Sequence, residues 1–391
     1  MSEAMAAGPR IGAGPSRVRW KLVALAAALA SAACALGACG TVGYYSQSIG
    51  GHLGVLSAAR PIDDWLDDPK TPAALRARLA KVREMRRFAV RELGLLDNAS
   101  YTTYADLKRP FVVWSVFATP PLSLRLQQWC FAVVGCITYR GYYDQKDAEA
   151  FADTLRAEGD DVYVGGIPAY STLGYTTDPV LSTFVGFPEG EVARLIFHEL
   201  AHQVVYLKGD TTFNESFAVA VEEEGVRRWF VHEAATDGAS SAAAAELHRQ
   251  MTSRKRAFVA LLARHRAALE AIYAGPGDDD AKRAAKVAEF AALVSDYEAA
   301  KRDPTSPFFG NTGYDRYFAQ HLNNANLAAV ATYSQRVPAF AKLIEQDRGD
   351  LERFYADAQA IASLPVAERN ARLDRLAPPD ALVAARAERA E

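Results

Sequence analysis

Cysteine is scarce in this chain of 391 residues: there are four, and no two stand in a Cys-x-x-Cys pair. That excludes a disulfide-framework protein and argues against a zinc ribbon or a thioredoxin-like redox site. A basic surplus is also lacking. Lys plus Arg number 44 against 47 for Asp plus Glu, a formal charge of -3. The phosphate contacts of a nucleic-acid binder therefore have no global source, and that class is set aside. No internal repeat at a solenoid period is present. The composition is that of a globular protein, 50% hydrophobic and 23% charged, with length for one large domain or two modest ones.

The N-terminus sets the expected compartment. Arg10, Arg17, Arg19 and Lys21 precede an apolar, alanine-rich run from Leu22 to Ala38, a charged region followed by a hydrophobic one as in a secretory signal. Leu36-Gly37-Ala38-Cys39 then resembles the lipobox of bacterial lipoproteins, which are cut before the cysteine and carry lipid on its thiol. Cys34 fits less well, because Ser31-Ala32-Ala33 lacks the large aliphatic residue. The competing reading is an uncleaved anchor, since about 17 apolar residues is the short end of a membrane span. Cleavage leaves 40 basic against 46 acidic residues, so the lipid itself has to hold the mature chain at an anionic membrane. Gly40 is not the Asp that signals inner-membrane retention in Gram-negative lipoproteins, and the expectation is an outer-membrane anchor facing the periplasm. In that oxidising compartment Cys130 and Cys136 can close a short disulfide loop; two buried free thiols are the alternative.

The organisation reads as follows: a signal peptide over 1–38; a tether and N-terminal helices over 39–100; a mixed-sheet region over 101–187; a helical region over 188–376; and a flexible, low-complexity tail over 377–391. Thr71, Pro72 and Gly94 punctuate a helix with apolar positions at Leu75, Leu79, Val82, Ala89 and Leu93. Strands are predicted over Phe111 to Phe117, Leu122 to Cys130, Ile137 to Tyr142 and Val162 to Gly165, with a helix over Asp147 to Glu158. Beyond Pro188 the patterning is helical, beginning with Glu191 to Leu207 and Asn214 to Thr236. Two charge-laced helices, about Ala242 to Tyr273 and Asp280 to Lys301, are separated by Gly275-Pro276-Gly277-Asp278. They read as an inserted arm, about 238–305, rather than a second core. Such an arm offers a surface to a protein partner.

The residues that carry chemistry are His198-Glu199-Leu200-Ala201-His202. On a helix, positions i and i+4 share a face, so both imidazoles can bind one zinc ion with Glu199 beside them. A third protein ligand leaves the fourth position open. Zinc then acidifies a water and polarises a carbonyl, and the glutamate serves as general base. Glu215 opens the next helix and is the candidate third ligand, although Thr212 could employ it in a capping box. Asp210 is the rival ligand, on a loop. Glu222, seven residues after Glu215, can orient a ligand histidine; Glu222-Glu223-Glu224 can equally be a solvated acidic run.

His198-Glu199-x-x-His202 followed by Asn214-Glu215-Ser216-Phe217-Ala218 resembles the gluzincin metallopeptidases, whose third zinc ligand is a glutamate on such a helix. More closely, several segments together resemble the bacterial putative-aminopeptidase family, a group of predicted lipoproteins. These segments are the lipobox with Gly43-Tyr44-Tyr45, the Trp129-Cys130 to Cys136 loop with Tyr139-Arg140-Gly141-Tyr142, Ala169-Tyr170-Ser171-Thr172-Leu173-Gly174, and Asn323-Asn324-Ala325 with Thr332-Tyr333. The resemblance implies an α+β, zincin-like fold, a small mixed sheet followed by a mostly helical region that carries the HExxH helix. It also implies that Tyr170, Ser171, Thr172, Leu173 and Gly174 form an edge strand that holds the substrate backbone. A tyrosine then stabilises the oxyanion, with Tyr333 the candidate and Tyr314 and Tyr317 behind it.

The expected function is a zinc-dependent peptidase acting on peptide or protein substrates, an aminopeptidase first. The alternatives are a periplasmic endopeptidase acting on envelope proteins and a non-catalytic scaffold in which the zinc is structural. The acid that an aminopeptidase needs for the substrate's free amine is not identified by any motif.

Overall fold

A computed structural model describes residues 43–131, 135–236 and 238–377. The signal peptide, Cys39 and the tail beyond Ala377 lie outside the described residues. The chain divides into two units, Met1–Gly51 and His52–Glu391. The described part of the first is helical, and the second contains the candidate site and, among the described residues, the strands.

Among the described residues, eight short strands make three small sheets. They are β1 (Ala59–Pro61), β2 (Thr103–Ala105), β3 (Val113–Thr119), β4 (Trp129–Phe131), β5 (Gly135–Ile137), β6 (Arg140–Tyr142), β7 (Asp161–Ile167) and β8 (Val180–Leu181). The sheet orders are β1-β2-β8, β6-β3-β7 and β4-β5. Strand β3, rich in β-branched and aromatic residues, lies between antiparallel β6 and β7 and pairs with β7 from Val113↔Ile167 to Thr119↔Asp161. It is buried from Trp114 onward, because helices α3 (Gln145–Ala157) and α9 (Asn324–Thr332) both pack against it. A strand covered in this way does not alternate apolar with polar residues.

Two predicted strands are shorter in the structure. Pro120 and Pro121 cannot donate to a ladder, and the chain from 122 to 128 is irregular. The span from Ile137 to Tyr142 is split, because Cys130 and Cys136 face each other and are joined by a disulfide. That bond draws β4 and β5 into a hairpin of their own and leaves β6 to pair with β3.

Further helices are α1 (Ile62–Asp67), α2 (Ala73–Leu93), α4 (Glu189–Ala201), α5 (Thr211–Thr236), α6 (Gly238–Ala274), α7 (Asp279–Arg302), α8 (Asp315–Phe318), α10 (Val337–Gln346), α11 (Leu351–Ala362) and α12 (Val366–Leu376). Helix α2 ends as its sequence predicts, with Gly94 in the left-handed region at φ 65°, whereas Pro72 takes the N-cap position expected of Thr71. No helix among the described residues is long and apolar enough to cross a membrane.

Helices α4 and α5 lie at the centre of the main core, which gathers Leu79, Phe88, Phe197, Phe217, Val221 and Phe354. The arm formed by α6 and α7 differs from a bare insertion, because it has an apolar cluster of its own. Phe258, Leu262, Leu293 and Tyr297 pack there with Phe308 and Phe318, and the Tyr297 and Phe318 rings stack at 3.8 Å. Lys286 ties the arm to the sheet, its Nζ 2.5 Å from Asp161 Oδ2 at the start of β7.

Close approach of α4 to α5 depends on Gly225. A Cβ there would sit 2.8 Å from Phe197 Cδ2 and 2.9 Å from Leu93 Cδ1. Both are buried side chains with little room to yield. Gly225→Val is therefore expected to destabilise the protein by about 2–3 kcal/mol, seen as a lower urea midpoint with an unchanged slope. An unchanged midpoint would show that the two helices do not pack as described.

Candidate metal centre and active site

Helix α4 starts after Pro188, with Glu189 and Glu191 in its first turn, where negative charge favours the helix dipole. Its buried face carries Ile196, Phe197, Leu200 and Ala201 together with His198 and Glu199. His202 is the C-cap, one position past the last helical residue, so the helix ends earlier than the predicted Leu207. The pair at i and i+4 nevertheless meets as helical geometry dictates, with ring centroids 4.8 Å apart.

The chain then turns back, and Asn214 fixes the return. Its Oδ1 accepts from Leu207 N–H at 2.7 Å and its Nδ2 donates to Leu207 O at 2.8 Å. These two hydrogen bonds to the turn position the next residue, Glu215, whose Oε2 lies 3.2 Å from His198 Nε2 and 3.7 Å from His202 Nε2. Ligand atoms of His198, His202 and Glu215 all lie within 4.8 Å of one another, and all three residues are buried. The two sequence alternatives for this stretch resolve together. Asp210 Oδ1 accepts from Phe213 N–H and its Oδ2 pairs with Arg369 at 3.0 Å. It therefore caps α5 and is absent from the ligand group, which leaves Glu215 free of the capping box.

Glu222 lies two turns along the same face and is fully buried. Its Oε2 is 2.8 Å from His198 Nδ1, which holds the ring with Nε2 facing Glu215 and His202. Arg194 NH1 (3.2 Å) and Lys255 Nζ (3.2 Å) also reach this carboxylate. Against the cost of burial, Lys255, Arg194 and His198 keep Glu222 below the usual carboxylate range. The reading of Glu222 as part of a solvated acidic run is thus replaced. His202 Nδ1, in contrast, is buried without a hydrogen-bond partner.

Burial would lower His198, but Glu215 and Glu222 outweigh it and push the ring up to about 10. Burial likewise would raise Glu215, and the two imidazoles hold it down to about 2. Glu199, only 7% exposed, is raised, first by burial and then by the charges of Glu215 and Asp178. Tyr333 follows α9, where Arg336 N–H donates to Ser216 Oγ at 3.2 Å and so ties this turn to the neighbour of Glu215. Desolvation, with the charges of Glu215 and Glu199 among the further causes, puts the Tyr333 phenol well above its ordinary value.

Other expectations change. Residues 170–174 are not a strand. Leu173 and Gly174 have φ of 57° and 80°, and Thr172 donates through its N–H and its hydroxyl to Asp178, which folds the segment into a loop instead of an edge. Tyr314 and Tyr317 pack on Phe258, with ring centroids at 4.5 and 4.9 Å, inside the arm's cluster. Arg194, Lys255, Tyr101 and Asp178 were not anticipated. Arg194 stands four residues before His198, a helical spacing that could have drawn notice, while Lys255 comes from the arm and gives no local signal.

A cavity of about 1320 Å³ is lined by Arg194, Glu222, Lys255, Phe230 and Tyr314 among others, and by none of the three grouped ligands. It adjoins Glu222, and Glu199 is likewise absent from its lining.

Comparison with protein families matches residues 43–373 to the family described as "Putative aminopeptidase". The chain belongs to that family. No curated protein and no solved structure matches it.

In the metal-free protein the proton on His198 favours folding below about pH 6.5, the ring's ordinary value, and that contribution is lost as pH rises through about 10. The charge on Glu215 favours folding above its ordinary 4.5 and is lost as pH falls through about 2. The pair is therefore most stabilising between these ordinary values. A metal must displace the His198 proton, so zinc added at pH 8 in weak buffer is expected to release about one proton per ion bound. An indicator dye reads this directly, and uptake without proton release would contradict the ligand assignment.

Proposed function

We propose that this protein is a zinc-dependent peptidase, an aminopeptidase in kind, attached to the outer membrane by lipid on Cys39 and facing the periplasm. The observation that carries the chemical part is the buried His198, His202 and Glu215 group with Glu199 on the same helix. Two imidazoles and one carboxylate suit zinc, and three protein ligands leave a position for substrate or water. Zinc held there would supply Lewis acidity, polarising the scissile carbonyl and acidifying a water.

The chain's own residues then act as follows. Glu199 takes a proton from the attacking water as its oxygen bonds to the carbonyl carbon. The same carboxyl passes that proton to the nitrogen as the carbon–nitrogen bond breaks. Tyr333 keeps its proton at neutral pH and donates a hydrogen bond to the developing oxyanion. Glu222, held by Arg194 and Lys255, keeps the His198 ring in one orientation. Strand β7 is one of the two edges of its sheet, and it takes over from residues 170–174 the role of holding an extended substrate backbone.

Glu199→Gln is expected to retain zinc and to lose turnover by about 10²–10⁴-fold, the usual contribution of a general base. Tyr333→Phe is expected to lower kcat by about 10²–10³-fold. Full hydrolysis by the first variant would end the general-base mechanism, and full kcat in the second would move the oxyanion donor elsewhere.

A further inference from the structure

A second buried carboxylate, Asp178, whose charge acts on Glu199, has no part in the mechanism above. It is 2% exposed. Its Oδ1 accepts from Thr172 Oγ1 at 2.7 Å, and its Oδ2 accepts from Thr172 N–H at 3.0 Å and Ser171 Oγ at 3.4 Å. All three donors are neutral. The charge of His52 acts on Asp178 from beyond hydrogen-bond contact, because its two ring nitrogens bond Tyr170 Oη (2.6 Å) and Thr176 Oγ1 (3.0 Å). A buried carboxylate with only neutral donors is costly, and a cation stabilises it strongly. Of about four lone-pair positions on a carboxylate, three donors leave one open.

The backbone of Asp178 is linked through Ser100 to the turn that follows the HExxH helix. Its carbonyl accepts from Tyr101 N–H at 2.7 Å, and its N–H donates to Ser100 Oγ, which also accepts from Gln203 Nε2 at 3.4 Å. Gln203 directly follows His202. Tyr101 supplies an independent observation: its ring is 2% exposed, and its Oη is buried with no hydrogen-bond partner. Its φ of 62° is a left-handed conformation that costs a non-glycine residue energy and persists only when the surroundings enforce it. Burial first, then the charges of Glu199 and Asp178, raise its phenol.

We propose that Asp178 and Tyr101 Oη bind the free α-ammonium group at the N-terminus of a peptide substrate. An ammonium brings one positive charge and three donors. It gives Asp178 a hydrogen-bonded cation in place of neutral donors alone, and Tyr101 Oη a donor, on the side of the carboxylate that activates water. The inference rests on the zinc-peptidase reading and deepens it, because an acid that holds the free amine makes the enzyme an exopeptidase.

The test uses the full zinc-loaded chain and two ligands, alanine hydroxamate and its N-acetyl form, with binding measured by calorimetry. Wild type is expected to bind the free-amine form about 10–100-fold more tightly, as for a hydrogen bond to a charged group. Asp178→Asn, which keeps an acceptor for Thr172, is expected to abolish that preference without changing zinc content. Tyr101→Phe is expected to reduce it by several-fold. Equal binding of the two forms by wild type overturns the proposal without relying on any variant's folding, as does a preference that survives in folded Asp178→Asn. Failure to bind either form would strike the zinc reading itself and the amine site with it.

Discussion

Glu222 has no exposure to solvent, and His198, Arg194 and Lys255 all converge on it. Burying one carboxylate costs several kcal/mol unless charge and hydrogen bonds compensate, and removing one partner leaves the rest uncompensated. The compensation comes from separate parts of the chain. His198 and Arg194 stand on α4, Glu222 on α5 and Lys255 on the arm helix α6. These helices can adopt only arrangements that keep the charges together, and such an arrangement also directs His198 Nε2 toward Glu215. The arm that reads as an insertion thus contributes to the support of a candidate ligand.

The apolar packing around this cluster makes its electrostatics strong. Phe197 and Leu200 on α4, with Phe217 and Val221 on α5, are fully buried. Glu215 and the two histidines therefore interact in a poorly polarisable medium, where hydrogen bonds and charge pairs gain strength and unpaired groups become costly. Gly225 permits the close contact, and Asn214 fixes the turn between the helices. Small, local choices of residue thereby set the separation of the ligand atoms.

Much of this was legible in the chain. The HExxH spacing identifies three residues because helical periodicity alone brings them together, and Glu215 could be named because the helix after a tight turn returns antiparallel to the first, whereas the Asn214 clamp appears only in the fold. The helix boundaries follow from Pro188, Gly94 and the Gly275-Pro276-Gly277 break. Segments governed by distant partners were not legible. The stretch from Tyr170 to Gly174 has the side chains of a strand, but hydrogen bonds to Asp178 and left-handed residues fold it into a loop. Lys255 and Tyr101 are likewise silent in sequence: one meets its partner 33 residues away across helices, and the other owes its position to a backbone conformation that its side chain does not favour. The disulfide hairpin shows the same limit, since cysteine spacing permits the bond but does not reveal that it removes two strands' worth of residues from the main sheet.

The most direct test of the central claim is zinc K-edge X-ray absorption on the full zinc-loaded chain. The ligand set proposed here predicts two imidazole nitrogens at about 2.0–2.1 Å, carboxylate oxygen at about 2.0–2.2 Å and one further light-atom position filled by solvent, with no sulfur. A sulfur scatterer, or four protein ligands that close the coordination sphere, would contradict a catalytic zinc on His198, His202 and Glu215.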